Sequence, residues 1–303
     1  MSDKLIYISI MKVDEILRHK PKVLTQDQRE FYFENGYLLL ESIVTKEWLD
    51  ILRKTTDEKI NNSRKLTVSD EIYDLDKGHT SENPRLRRLS SPNDHDENYW
   101  RYASEFLPNI ISDLVGPNVK FHHSKLNFKW SKGGAEVKWH QDIQFWPHTN
   151  YSPLTVGTYL YDCNLDQGPL AVVPKSHNGP LYNQYENGNW TGCLSNKDEK
   201  NIDKNEVVYL DGPAGSLTIH NCRMIHGSKP NNSENGRPLL LNVYSSADAF
   251  PYTKNPIYSK YDQKIVKGNR ADWADHDPRP CLIPPSWDEG YKSIFSYQQK
   301  EKM

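Results

Sequence analysis

The residues best suited to chemistry are few and widely spaced. Trp139-His140-Gln141-Asp142 sets an imidazole and a carboxylate two positions apart. At a strand end, residues i and i+2 point the same way, so His140 and Asp142 face one side and can take two adjacent positions on one divalent ion. His226 comes much later, in Met224-Ile225-His226-Gly227-Ser228. As a third ligand from a distant strand it would complete a two-histidine, one-carboxylate face, which leaves three positions open and suits non-haem Fe(II) oxygen chemistry. Arg237 stands eleven residues beyond His226 and leads into Pro238-Leu239-Leu240-Leu241. At the mouth of a core strand its guanidinium needs an anionic partner, and it can fork onto a carboxylate, with Ser228 adding a hydroxyl. Plainer readings stay open for each: a surface histidine near an aspartate, a histidine at a turn eased by Gly227, an exposed arginine beside Glu234. His220 competes with His226 for the distal position, but the spacing to Arg237 favours His226.

These residues need a scaffold. Thr25 and Gln28 have capping-box spacing and open a helix that exits at Asn35-Gly36. Tyr37 to Leu40 reads as a short buried strand, and Thr45 caps a second helix with an apolar stripe of Trp48, Leu49, Leu52 and Ile60. Residues 61–98 are polar and broken by Pro84 and Pro92. They read as a long surface excursion, a lid, in which Arg85, Arg87 and Arg88 form a small basic cluster, either solvated or, as a lid contact, meeting an anionic substrate. Phe106 to Val115 is a weak helix. Seven short strand-like runs follow: Val119–Trp130, Val137–Trp139, Val156–Tyr161, Leu170–Val173, Val207–Leu210, Ser216–His220 and Leu239–Tyr244. Such spacing is the mark of a sandwich or jelly roll. The expected architecture is one domain, mainly β with flanking α: N-terminal helices and a lid-like loop over 1–118, a β-core over 119–246 with a polar insertion at 177–206, and a C-terminal extension over 247–303, wrapped and packed by its aromatics.

Composition narrows the class. The 303 residues carry 38 Lys plus Arg against 40 Asp plus Glu, a net charge of −2. That near-neutral balance argues against a dedicated nucleic-acid binder. The four cysteines form no CxxC pair, so no zinc ribbon or thioredoxin-type couple is indicated. The apolar run Leu5–Met11 is too short for a membrane span and lacks a cleavage site, and Glu301-Lys302-Met303 is no retention or peroxisomal address. A cytoplasmic protein acting on a small molecule is expected, with no nucleic-acid or membrane partner, as a monomer or weak homo-oligomer.

The ligand pattern, with Leu24-Thr25-Gln26-Asp27-Gln28 through Tyr37-Leu38 and Asp166-Gln167-Gly168-Pro169-Leu170 followed by Val173-Pro174-Lys175-Ser176-His177, resembles the phytanoyl-CoA dioxygenase family, including its ectoine hydroxylases. Pro169 and Lys175 depart from the commonest family residues. The resemblance runs from about Leu24 to Ser246. It implies a double-stranded β-helix (a cupin-like jelly roll) that uses Fe(II), 2-oxoglutarate and O2 and releases succinate and CO2. It implies His140, Asp142 and His226 as iron ligands and Arg237 on the distal carboxylate of 2-oxoglutarate, with Ser228 beside it. His122-His123-Ser124-Lys125-Leu126-Asn127 resembles a strand that serves both sites: Asn127 on the cosubstrate, Lys125 facing the pocket. Thr158 is a further cosubstrate candidate, and Phe145 and Trp146 are candidate walls of the substrate pocket. An inward Lys125 fits a carboxylate, phosphate or phosphonate on the substrate. Hydroxylation of an unactivated C–H bond is the expected reaction. A zinc-dependent hydrolase and a non-catalytic β-sandwich binding protein on the same site remain alternatives. The hydrolase would have no use for Arg237.

Overall fold

The computed structural model describes residues 13–288, 290–291 and 293–299. The apolar run Leu5–Met11 and the terminal Glu301-Lys302-Met303 lie outside them. Short helix α1 (Val13–Arg18) precedes α2 (Gln26–Asn35). The capping box at Thr25 is formed as expected: Gln28 N–H donates to Thr25 Oγ1, and Thr25 N–H donates to Gln28 Oε1. Gly36 ends α2 at φ +82°, where a Cβ would fall 2.3 Å from His177 and Met224 side-chain atoms. Strand β1 (Tyr37–Leu40) and helix α3 (Lys46–Asn62) follow.

Residues 61–98 depart from the expected surface excursion. They include β2 (Tyr73–Leu75) and β3 (Leu86–Ser90). Short helices α4 (Pro92–His95) and α5 (Glu97–Arg101) then lead through a π-helical turn at Tyr102–Phe106 into α6 (Leu107–Val115), which is buried along its length. The chain continues through β4 (Val119–Lys129), β5 (Val137–His140), β6 (Leu154–Tyr159) and β7 (Leu170–Val172). The 177–206 insertion carries a hairpin, β8 (Tyr185–Glu186) with β9 (Asn189–Trp190), and α7 (Asn196–Glu199). Then come β10 (Val208–Leu210), β11 (Leu217–Asn221), β12 (His226–Ser228), β13 (Arg237–Ser246), β14 (Ile265–Lys267) and α8 (Ile294–Gln298).

All seven expected core strands are present. They form two antiparallel sheets, β1-β11-β6-β13-β4-β3-β2 with β14 also on β4, and β10-β7-β12-β5. The helices and one face of the large sheet share an apolar cluster that includes Leu52, Tyr102, Ile111, Leu126, Val156 and Leu240. Side chains alternate across a strand, so the other face of β4, β6 and β13 is free to meet the small sheet. The site lies between them.

Candidate active site

Strands β5 and β12 are neighbours, and their register sets His226 opposite His140. The two ring centres are 4.0 Å apart. Asp142 opens a single 3-10 turn just past the end of β5. Its Oδ1 stands 3.6 Å from His140 Nε2 and 3.7 Å from His226 Nε2. One ligand atom from each residue lies within 4.8 Å of the others, and all three side chains are buried.

The surroundings prepare this triad for a metal. His140 Nδ1 bonds to the Lys138 carbonyl at 2.8 Å, and His226 Nδ1 to the Met224 carbonyl at 3.0 Å. A carbonyl only accepts, so each ring carries its proton on Nδ1 and turns a bare Nε2 lone pair to the centre. Asp142 Oδ2 accepts from Thr155 Oγ1 at 2.9 Å, which leaves Oδ1 for the ion. Burial pushes the Asp142 carboxyl up. The neighbouring His226 and Lys125, with the imidazoles of His140 and His220 close by, outweigh that and hold it well below the usual carboxylate range. Burial also drives the His226 imidazole well down, reinforced by His140 and His220. The donor set is thus an ionised carboxylate and neutral imidazoles, the forms that bind metal. His140, Asp142 and His226 together could hold a metal ion. His220 stands behind the carboxylate, 3.5 Å from Oδ2, outside the triad.

Beyond the triad the pocket is cationic. Arg237 begins β13 directly opposite Lys129 on β4. Like charges set opposite each other repel, and both are almost fully buried. Each is tied to backbone carbonyls: Arg237 Nη2 to Gly168 at 3.0 Å, Lys129 Nζ to Ser228 at 3.1 Å and also to Lys229. Arg237 Nε has no partner. Two buried cations with donors to spare fit an anionic ligand, so the residues suit a dicarboxylate cosubstrate. Ser228 and Asn127 line the same pocket.

At the other end Lys125 lines the pocket, as its strand phase predicts, with no hydrogen-bond partner for its ammonium among the described residues. Burial pushes its pKa down to about 8, with Asp142 opposing and Arg88 adding to the shift. Arg88 on β3 was expected in solvent. It is 1% exposed, faces Asn127 across β3 and β4, and donates from Nε to Asn127 Oδ1 at 2.9 Å.

Three expectations are corrected. Thr158 does not reach the pocket: its hydroxyl meets Tyr102 at 2.9 Å on the helical side, while Thr155, of opposite parity on β6, takes the pocket-facing place. Phe145 does not line the cavity but packs edge-on against His140, ring centres 5.9 Å apart. Trp146 packs beside His122, His123 and His148, also outside the cavity. Sequence reading favoured solvent for Arg88 over a substrate contact, and it missed Thr155, Lys129 and the C-terminal Ile294 and Phe295, which also line the pocket. Neither the sequence LRRLS of β3, which has no regular apolar–polar alternation, nor the short C-terminal helix gave a signal.

Comparison with known proteins points the same way. The chain is 31% identical over 266 residues to a probable alpha-ketoglutarate-dependent hypophosphite dioxygenase of Stutzerimonas stutzeri, covering 86% of this chain and 92% of that one. It is 26% identical over 242 residues to the peroxisomal phytanoyl-CoA dioxygenase of Rattus norvegicus, covering 75% and 70%. In fold it resembles EctD from S. alaskensis with bound Fe, at a TM-score of 0.63 and 19% identity over 87% of this chain and 88% of that one. The crystal structure of EctD with 2-oxoglutarate and 5-hydroxyectoine gives a TM-score of 0.62 at 19% identity, over 89% and 92%. The family model described as phytanoyl-CoA dioxygenase (PhyH) matches residues 32–239, the stretch that contributes the metal triad, Lys129 and Arg237. The chain therefore belongs to the phytanoyl-CoA dioxygenase family and is an Fe(II)- and 2-oxoglutarate-dependent dioxygenase.

Proposed function

We propose that this dioxygenase acts on a small oxyanion, hypophosphite first among the candidates, and inserts one oxygen atom into an X–H bond beside the anionic group. The carrying observation is the charge in the pocket. Four cationic side chains, Arg88, Lys125, Lys129 and Arg237, face the single carboxylate of Asp142, a surplus of three. Fe(II) adds two charges and 2-oxoglutarate removes two, so the surplus persists when both are bound. Burial lowers the Lys129 ammonium well below its ordinary value, and even with Lys129 neutral two positive charges are left. A buried surplus of that kind asks for a second anion.

The relative named a hypophosphite dioxygenase spans nearly the same length as this chain.

The protein's residues divide the work. His140, Asp142 and His226 hold the metal. Arg237, with Lys129 and Ser228, takes the distal carboxylate of 2-oxoglutarate. Asn127 holds Arg88 in place between the two ends. Lys125 and Arg88 orient the substrate oxyanion so that its X–H bond faces the metal. Bound Fe(II) and 2-oxoglutarate supply O2 activation, with one oxygen atom ending in succinate and the other in the hydroxylated product, and with release of CO2. The two sheets keep bulk water out of the pocket.

We place the enzyme in the cytoplasm as a monomer or weak homo-oligomer. The near-neutral charge supports the absence of a nucleic-acid partner. No helix among the described residues is long and apolar enough to cross a membrane.

A succinate-formation screen with Fe(II), 2-oxoglutarate and ascorbate tests the reading. Hypophosphite, short phosphonates and small carboxylates are compared with neutral compounds of equal size. Succinate should form above the uncoupled background with small anions, hypophosphite foremost. Equal or better turnover of the neutral set would refute the anionic assignment.

A further inference from the structure

The pocket has a roof from an unexpected place. After β14 the chain runs without a long regular element to α8, more than a hundred residues from the metal ligands in β5. Yet Ile294 and Phe295 of α8 line the metal pocket, together with Lys125, Asp142 and His226. Phe295 is 1% exposed.

Several contacts hold this helix. Phe295 shares an apolar cluster with Ile143, Phe145, Trp146, Trp287 and Ile294. The guanidinium carbons of Arg87 and Arg88 lie 5.4 and 5.6 Å from the Phe295 ring centre, within cation–π range. Arg88 lies beside Tyr291, so the cation that faces the pocket also packs against the segment covering it. Trp287 Nε1 donates to the Phe145 carbonyl at 3.1 Å. At the far end Gln298 grips β5: its Oε1 accepts from Lys138 N–H and its Nε2 donates to the Gly192 carbonyl, both at 2.8 Å. A short helix without a side-chain cap has little stability of its own. These contacts give it a fixed position over the cavity.

We infer that Phe295, carried on α8, is the specificity-determining residue that limits the size of the substrate. The inference rests on the oxyanion reading above. A large rigid ring beside the anion-binding cations leaves space for the oxyanion and its X–H bond but not for a bulky substituent. The C-terminal segment then sets substrate range, while the core strands set the chemistry.

The test uses the full chain and three anions that share a P–H bond and grow in size: hypophosphite, methylphosphinate and phenylphosphinate. Wild type should favour hypophosphite and reject phenylphosphinate. Phe295→Ala should raise kcat/KM for phenylphosphinate by at least roughly tenfold, the scale on which pocket size discriminates. Phe295→Leu, which keeps most of the apolar packing, should lie between them. Thermal melting and anaerobic Fe(II) binding check that each variant is folded and loaded. A second arm needs no turnover: acetate and benzoate are titrated into anaerobic Fe(II)–2-oxoglutarate protein and followed by the change in its charge-transfer band. Benzoate should perturb Phe295→Ala but not wild type. If wild type oxidises none of the phosphinates while benzoate still separates the two proteins, the P–H reading fails and the size limit stands. Folded Phe295 variants with the wild-type size profile in both arms would overturn the inference.

Discussion

The two ends of the pocket are both cationic, but they are built differently. At the Arg237 end each cation is pinned to backbone: Arg237 to the Gly168 carbonyl, Lys129 to the Ser228 carbonyl. Both sit opposite each other on the central strands β13 and β4. At the Lys125 end the ammonium has no hydrogen bond among the described residues, and the second cation, Arg88, comes from β3 near the edge of the sheet and is covered by α8. A site that always receives the same cosubstrate gains from donors fixed in advance. A site whose ligand differs between relatives is better placed on peripheral elements, where change leaves the core intact.

The most damaging change strikes what both ends share. His226→Ala removes a ligand, and Fe(II)-dependent turnover should disappear for every substrate; succinate assays with added Fe(II) check it. Next in size is Arg237→Ala, which deletes a buried charge-assisted contact worth about 1.5–3 kcal/mol, or ten- to a hundredfold in the KM for 2-oxoglutarate. The substrate KM should move far less. Lys125→Met should do the reverse and raise the substrate KM by roughly tenfold, the lower end of the same range, at unchanged 2-oxoglutarate KM. A matched rise in both KM values in either variant would erase the contrast between the ends. Burial holds the Lys125 ammonium down at a pKa of about 8. It is charged below that pH and neutral above it, so the substrate KM should rise as pH climbs through 8 in wild type and stay flat in Lys125→Met.

Much of the contrast could be read in the chain, and what escaped has physical reasons. The triad was legible because His140 and Asp142 share a strand phase and because Arg237 follows His226 at a set distance. Arg88 was misplaced because its partner, Asn127, lies on a strand 39 residues further on, so in sequence it looks like any solvated arginine in a polar stretch. Strand β12 is three residues long with a glycine in its middle, too short for any periodicity to appear. Thr158 was placed at the pocket and Thr155 left outside the expected strand, although β6 begins at Leu154 and every residue of it is buried. Without polar alternation, the strand does not reveal which face meets the pocket. Phe295 could not be seen at all, since only the tertiary path of the tail brings it into the lining of this pocket.

That parity difference gives the two smallest predictions. Thr155→Val removes the hydrogen bond that orients Asp142 and should weaken Fe(II) binding about tenfold, the lower end for a group that supports a metal ligand. Thr158→Val loses one hydrogen bond to Tyr102 and should lower unfolding stability by about 1 kcal/mol with both KM values unchanged, as denaturant titration and steady-state kinetics would show. Kinetic damage from Thr158→Val greater than from Thr155→Val would reverse the assignment of faces on β6.

The most direct measurement is an anaerobic ultraviolet–visible titration of the Fe(II)-loaded protein, first with 2-oxoglutarate and then with hypophosphite. In wild type the first addition should raise a charge-transfer band and the second should shift it. Arg237→Ala should need far more 2-oxoglutarate for the first response, and Lys125→Met should lose only the second. If wild type gives no band, or if both variants titrate like it through both additions, two anions are not bound at two cationic ends of one metal pocket.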